Sequence, residues 1–168
     1  MEPDLGPQDI ALLREAINLA EEAERQGNLP IGAVIALDGE VIARGKNSIW
    51  QPSLELTRHA EMEALHSVPP HLWPRSRDMT LLTTLEPCLM CAGAILLHHL
   101  GRLVFGSTDP WGGVTSCQDT LPTYFRDEFS LVQWTGPALP SECDPLYARV
   151  LEYERHRGPT PPVQRADG

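Results

Sequence analysis

The sequence predicts an α/β protein, a three-layer α/β/α sandwich built on a mixed five-stranded sheet. Three observations carry that expectation. Helix-period segments alternate with short apolar runs along the chain. Asp38-Gly39 separates two such runs and calls for an antiparallel hairpin. Strand, helix and strand follow one another over residues 79–105, which favours a parallel pair joined by a right-handed crossover. A hairpin and a crossover in one sheet make that sheet mixed, with helices on both faces.

Taken in order, residues 9–26 read as an amphipathic helix. Ile10, Leu13, Ile17 and Ala20 recur at helical spacing and Gly27 supplies a stop. Residues 31–37 and 41–47 form the hairpin strands. A short helix is expected over 59–66, with Thr57 as its candidate cap. Pro69, Pro70 and Pro74 mark a loop, and 79–85 reads as a buried strand. Pro87 suits the start of a helix over 88–100, which Gly101 would end. Residues 103–105 and 129–134 supply the fourth and fifth strands. The prolines of 137–145 read as a rigid connector to a charged helix over 145–156.

The chain has 168 residues, 42% hydrophobic and 21% charged, which fits one globular domain over residues 1–158. Residues 159–168, with Pro159, Pro161 and Pro162, read as a disordered tail. No apolar run nears the roughly 18–20 residues of a membrane span. Met1-Glu2-Pro3-Asp4 is acidic and no apolar segment follows, so no secretory signal is expected. Four cysteines are too few for a disulfide scaffold of this length, and a reducing cytoplasm is the expected compartment. Thirteen Lys plus Arg face twenty-three Asp plus Glu, a net charge of −10, and Lys46 is the single lysine. That balance disfavours a polyphosphate partner.

The chemistry concentrates in His59-Ala60-Glu61 and Pro87-Cys88-Leu89-Met90-Cys91, with Asn47 upstream. By chance, Pro-Cys-x-x-Cys is expected about one time in a hundred in a chain of this composition. Cys88 and Cys91 share one helix face, and at a helix start the free N–H groups favour thiolates. Side chains tilt toward the helix N-terminus. Two facing helix starts could therefore enclose a cation between His59, Cys88 and Cys91. One imidazole and two thiolates suit zinc, and three protein ligands leave a catalytic position open for water. Zinc lowers the pKa of such a water to roughly 7. Glu61 is positioned to take its proton and deliver protons to a ring nitrogen and a departing amine. Two other readings stand beside this one: a thiol–disulfide Cys-x-x-Cys pair, and a closed structural zinc completed by Cys117 or His98.

His59-Ala60-Glu61 with Pro87-Cys88-x-x-Cys91 resembles the zinc-dependent cytidine deaminase superfamily. The likeness is nearest to bacterial tRNA adenosine, guanine and cytosine deaminases. It extends over roughly residues 9–113, through Leu29-Pro30-Ile31-Gly32-Ala33-Val34, Gly45-Lys46-Asn47, Thr84-Leu85-Glu86 and Gly101-Arg102-Leu103-Val104-Phe105-Gly106. The resemblance implies the three-layer fold, one Zn2+ per subunit, hydrolytic deamination of an amino-heterocycle, and a homodimer. It also implies that Asn47 hydrogen-bonds the substrate, that the backbone near Ala33 lines the pocket, and that Ala60 joins the substrate contacts.

Departures from the family bear on the substrate. From Gln118 onward five Arg face eight acidic residues with no Lys, and Trp50 to Arg58 is unlike the family's usual Asp-Pro-Thr-Ala lead-in. Asp109-Pro110-Trp111-Gly112-Gly113 stands where tRNA enzymes more often carry a basic residue. Trp111 either stacks on a flat heterocycle or packs over the core; Asp109 either enters the pocket or caps its loop. The leading expectation is deamination of a small amino-heterocycle, a nucleobase or nucleoside such as guanine, cytosine or adenosine. The alternative is adenosine-to-inosine conversion in a tRNA anticodon loop, which calls for extruded bases and a basic groove. A non-catalytic zinc module is the third reading, and the intact Glu61 counts against it. His98 and His99 read as structural, His66, His71 and His156 as surface residues, Trp50, Trp73 and Trp134 as packing residues, and Cys117 and Cys143 as plain thiols.

Overall fold

The computed structural model describes residues 5–157. The tail expected over residues 159–168 lies outside them. Helix α1 spans Pro7–Arg25, with Pro7 at its first position and Gly27 in the left-handed region just past its end. Strands β1 (Gly32–Leu37) and β2 (Glu40–Lys46) form the expected antiparallel hairpin. Asp38 and Gly39 both take positive φ, the conformation a two-residue hairpin turn needs.

Helix α2 (Ala60–His66) follows, capped by His59 and not by Thr57, whose hydroxyl turns to Glu55. The proline-rich stretch is no plain loop: Pro70–Asp78 coils into 3-10 turns, which prolines near a helix start permit. Strand β3 (Thr80–Leu85) leads into α3 (Leu89–Leu97). That helix stops before Gly101. His98 is its cap and His99 takes the left-handed turn, while Gly101 is reserved for a close approach to the Arg77 carbonyl. Strand β4 (Arg102–Ser107) pairs parallel with β3, as the crossover argument requires.

The largest correction comes next. Residues 129–134 are not a strand: helix α4 (Thr123–Leu131) takes up their first part, and β5 is only Gln133–Thr135. The Phe129 and Trp134 rings stack at 4.2 Å across that junction, and Trp134 Nε1 donates to the Phe129 carbonyl at 3.1 Å. Helix α5 (Pro140–Arg157) starts well inside the expected connector, with Pro140 at its first residue and Pro145 within it.

The sheet order is β2-β1-β3-β4-β5, with the hairpin and β1–β3 antiparallel and the remaining pairs parallel. The two faces are built from alternate residues of each strand. Val34, Ala36, Leu82 and Val104 pack on Leu12, Leu13 and Ala16 of α1. Ala33, Ile35, Leu81 and Leu103 join Ala64 and Leu65 of α2 and Ile95 and Leu96 of α3. Among the described residues, no helix is long and apolar enough to cross a membrane.

Candidate active site

Two helix starts converge at the carboxyl-end side of β3. His59 is the N-cap of α2 and Cys88 the N-cap of α3; both have extended backbone, the His59 side chain does not bond its own helix, and Cys88 Sγ bonds Cys91 in the first turn of α3. His59 faces both sulfurs. Helix α2 lies close enough for this because β2 carries glycine at position 45. A Cβ there would overlap the Ala60 carbonyl and the Ala64 backbone.

His59 Nδ1 stands 3.7 Å from Cys88 Sγ and 3.6 Å from Cys91 Sγ. One ligand atom from each residue lies within 4.8 Å of the others, the one such three-residue group among the described residues. Zinc bonds of about 2.0–2.3 Å in a tetrahedron need ligand atoms roughly 3.5–3.8 Å apart, so the donors and their spacing fit zinc. All four cysteines are free thiols, which removes a Cys88–Cys91 disulfide. The closed structural site also finds no fourth ligand in its two candidates. Cys117 donates to the Val114 carbonyl, and His98 bonds the Ala94 carbonyl and packs on Trp73.

The electrostatics are those of a half-charged ligand set. The Cys88 thiol is pulled down to about 4, first by a hydrogen bond from Cys91 and, against burial, by His59. Cys91 is pushed up by its bond to Cys88, then by burial and the Glu61 charge. A cation entering here displaces the Cys91 proton. Glu61 is 4% exposed. Burial holds its carboxyl above the usual range, opposed by the His59 charge. Thr83 Oγ1 donates to Glu61 Oε1 at 3.2 Å and Cys91 Sγ to Oε2 at 3.4 Å. The Thr83 contact could not have been found from motif spacing, because only the β3 register brings it there.

His59, Glu61 and Cys88 line one end of a cavity of about 380 Å³. Asp109, Trp111 and Gly112 line it as well. Asn47, Ala33 and Ala60 are not part of its lining; all three are buried, Asn47 just past the end of β2, Ala33 in β1 and Ala60 at the start of α2. Asn47 Oδ1 accepts from the Leu29 and Ile49 N–H groups at 3.3 and 3.4 Å, and those two residues do line the cavity. Its buried Nδ2 has no hydrogen-bond partner among the described residues.

Asp109 caps its loop and borders the cavity at once. Its Oδ1 accepts from the Trp111 N–H at 3.0 Å, the Gly112 N–H at 3.1 Å and the Tyr147 hydroxyl at 2.7 Å. Trp111 is 84% exposed, so it does not pack over the core.

Several wall residues escape a motif reading. Trp50, expected only to pack, is buried and lines the cavity, with its N–H held by Asn28 Oδ1 at 2.9 Å. Tyr147, Val150, Leu151 and Glu154 of α5 form a further wall. Their spacing of three, four and seven is the one signal that could have disclosed them. Glu86, buried under the loop, accepts from the Asp109 N–H at 2.9 Å, the Thr115 N–H at 3.0 Å and the Thr115 hydroxyl. Gly113 lies so close to Glu86 that a Cβ would overlap the carboxylate.

With this geometry in hand, likeness to known proteins becomes informative. Residues 7–107 match the family described as the cytidine and deoxycytidylate deaminase zinc-binding region. The chain is 42% identical over 123 residues to the tRNA-specific adenosine deaminase of Bacillus subtilis, covering 72% of this chain and 73% of that protein. With the enzyme of the same description from Haemophilus influenzae it shares 38% over 153 residues, 88% of this chain and 85% of the relative. A structure from a study of A-to-I editing by tRNA:A34 deaminases superposes with a TM-score of 0.68 at 30% identity, covering 82% of this chain and 99% of that one. A guanine deaminase from Nitrosomonas europaea, at 18% identity and a TM-score of 0.64 over 86% of this chain and 85% of that one, shares the fold. The chain belongs to the cytidine and deoxycytidylate deaminase family of zinc-binding enzymes, hydrolases that act on the C–N bonds of amino-heterocycles.

Proposed function

We propose that the chain is an adenosine-to-inosine deaminase acting on a tRNA anticodon loop. The observation that carries the chemistry is the meeting of His59, Cys88, Cys91 and Glu61 at one end of a single cavity. The polynucleotide substrate is supported by the relatives described as tRNA-specific, at about 40% identity. It displaces the small-molecule reading that net charge favoured, because global charge is a weak guide to a local contact.

His59, Cys88 and Cys91 would hold the ion, which when bound polarises and acidifies a water. Glu61 is the proton carrier. It takes a proton from the attacking water and returns it to the ring nitrogen beside the reacting carbon, then takes the remaining proton from the new hydroxyl and passes it to the departing amine. Water and the exocyclic amine thus become carbonyl and ammonia. Burial suits Glu61 to this work by raising its proton affinity above that of an ordinary carboxylate. Thr83 fixes one carboxylate oxygen so that the other faces the ligands. Asn47 Nδ2, a buried donor with no partner among the described residues, is the group assigned to the substrate's ring or ribose acceptors. The backbone at Ala33 and Ala60 completes that side of the proposed site.

The same proposal includes a homodimer and a cytoplasmic setting. Leu89 and Leu97 of α3 are 59% and 56% exposed, an apolar face suited to a second copy. Four free thiols suit a reducing compartment.

A second reading, a free base or nucleoside such as guanine, cytosine or adenosine, draws on the cavity wall, which carries no Lys or Arg among the described residues. One experiment separates the two. The zinc-loaded protein is incubated with an anticodon stem–loop RNA and with a panel of bases and nucleosides. Ammonia release and amine-to-carbonyl mass gain are followed. Inosine in the RNA supports the proposal; turnover confined to a free base or nucleoside overturns it in favour of the second reading.

A further inference from the structure

The geometry points to Trp111 as a stacking platform for the nucleotide next to the target adenosine in a single-stranded RNA loop. This rests on the RNA reading above and names how this chain would grip that substrate.

The ring is 84% exposed and borders the same cavity that Glu61 lines. Its backbone is not loose. Asp109 Oδ1 accepts the Trp111 N–H, and Asp109 is itself tied to Tyr147 through its carboxylate and to Glu86 through its N–H. The indole is thus presented to solvent from a braced loop, so little ordering entropy remains to oppose a partner that lands on it.

The charge of the cavity wall says which partner. Glu61, Glu86, Asp109 and Glu154 line the cavity with His59, and among the described residues no Lys or Arg does. A phosphate gains nothing from such a wall, whereas the face of a base carries no net charge and stacks on an aromatic ring whatever its identity. For the target base to reach Glu61, its neighbours must unstack from it, and a nearby flat ring recovers what they lose. Of the aromatic residues that line the cavity, Trp50 is buried, Tyr147 is half-buried, and Trp111 on the Asp109–Gly113 loop is exposed.

The test uses the zinc-loaded E61Q protein, so that RNA binds without being consumed. It is titrated with a hairpin RNA bearing a loop adenosine and followed by tryptophan fluorescence. The hairpin should quench the solvent-exposed, red-shifted emission of Trp111, and W111F should lose that signal. W111A should weaken binding about tenfold, at every salt concentration and with an unchanged salt slope, because the ring touches no phosphate. The reciprocal change needs no variant protein. Hairpins made abasic just before or just after the target should, for one of the two, lose the same factor against Trp111 and nothing further against W111A.

Equal affinity and equal quenching in W111A, or additive losses from the two changes, would overturn the stacking contact. A salt slope that flattens in W111A would do so as well. If the parent protein forms inosine in the hairpin while either result holds, the RNA reading survives and this contact alone falls. If the parent forms none, both fall together.

Discussion

The inner and outer halves of the cavity are assembled by different rules. The inner half is local: His59 and Glu61 are two residues apart, Cys88 and Cys91 three, and each pair is aimed by the first turn of its own helix. The outer half is distant. Glu86 reaches to Asp109 and Thr115, and Asp109 to Tyr147, over sequence separations of 23 to 38. The reacting end is therefore held by helix geometry that tolerates little change. The recognising end is held by two carboxylates, Glu86 and Asp109, bonding across the loop and to α5. A family can keep one chemistry and vary its substrate when the two ends are built so differently.

The largest effect should come from the inner half. Glu61→Gln removes the proton carrier and leaves all three ligands. Zinc content should match the parent while kcat falls by about 10²–10⁴-fold. Burial already opposes the Glu61 charge, so the amide should not lower Tm. A variant that turns over at the parental rate would leave the carboxylate without its assigned role.

The outer half should answer in recognition. Glu86 is buried and receives two backbone N–H bonds and a hydroxyl bond from the loop. Glu86→Gln keeps the shape, so the Gly113 contact survives, but one of the two accepting oxygens becomes an NH2 that cannot accept from the loop donor facing it, at a cost of about 1.5–3 kcal/mol. Tm should drop and KM should rise more than kcat falls. The Asp109 and Thr115 amides should exchange hydrogen faster, because they depend on that carboxylate for their partner. Unchanged exchange at those two amides would show that the loop is braced by something else.

That same contrast decides what could be read in advance. Helix α1, the Asp38-Gly39 hairpin and the His59/Cys88/Cys91 set were legible, because periodicity, turn chemistry and ligand spacing are local properties. Residues 129–134 misled for the opposite reason. Phe129, Leu131 and Trp134 carry strand-like character, yet α4 runs to Leu131, and the stacking of Phe129 on Trp134 is a contact between elements. Pro140 was read as a connector although proline is suited to a helix's first position. With α5 started too late, its role as a cavity wall could not be seen. Asp109 could not be assigned to one role because its single Oδ1 serves both the loop and α5.

The mildest test bears on that last contact. Tyr147 of α5 joins the 109–113 loop through a 2.7 Å bond to Asp109. Burial and the Asp109 bond both hold its phenol above the ordinary range, so it is a neutral donor at any working pH. Tyr147→Phe removes one hydroxyl and keeps the ring. The net cost of such a bond is about 1 kcal/mol. Asp109 keeps its two backbone donors, so the loop should retain its conformation and lose only its tie to the helix. KM should rise by a few-fold with a small loss in Tm, less in each case than Glu86→Gln produces. An effect as large as that of Glu86→Gln would mean that α5, and not Glu86, sets the position of the loop. The division between a locally built reacting end and a separately braced recognising end would then have to be redrawn around the last helix.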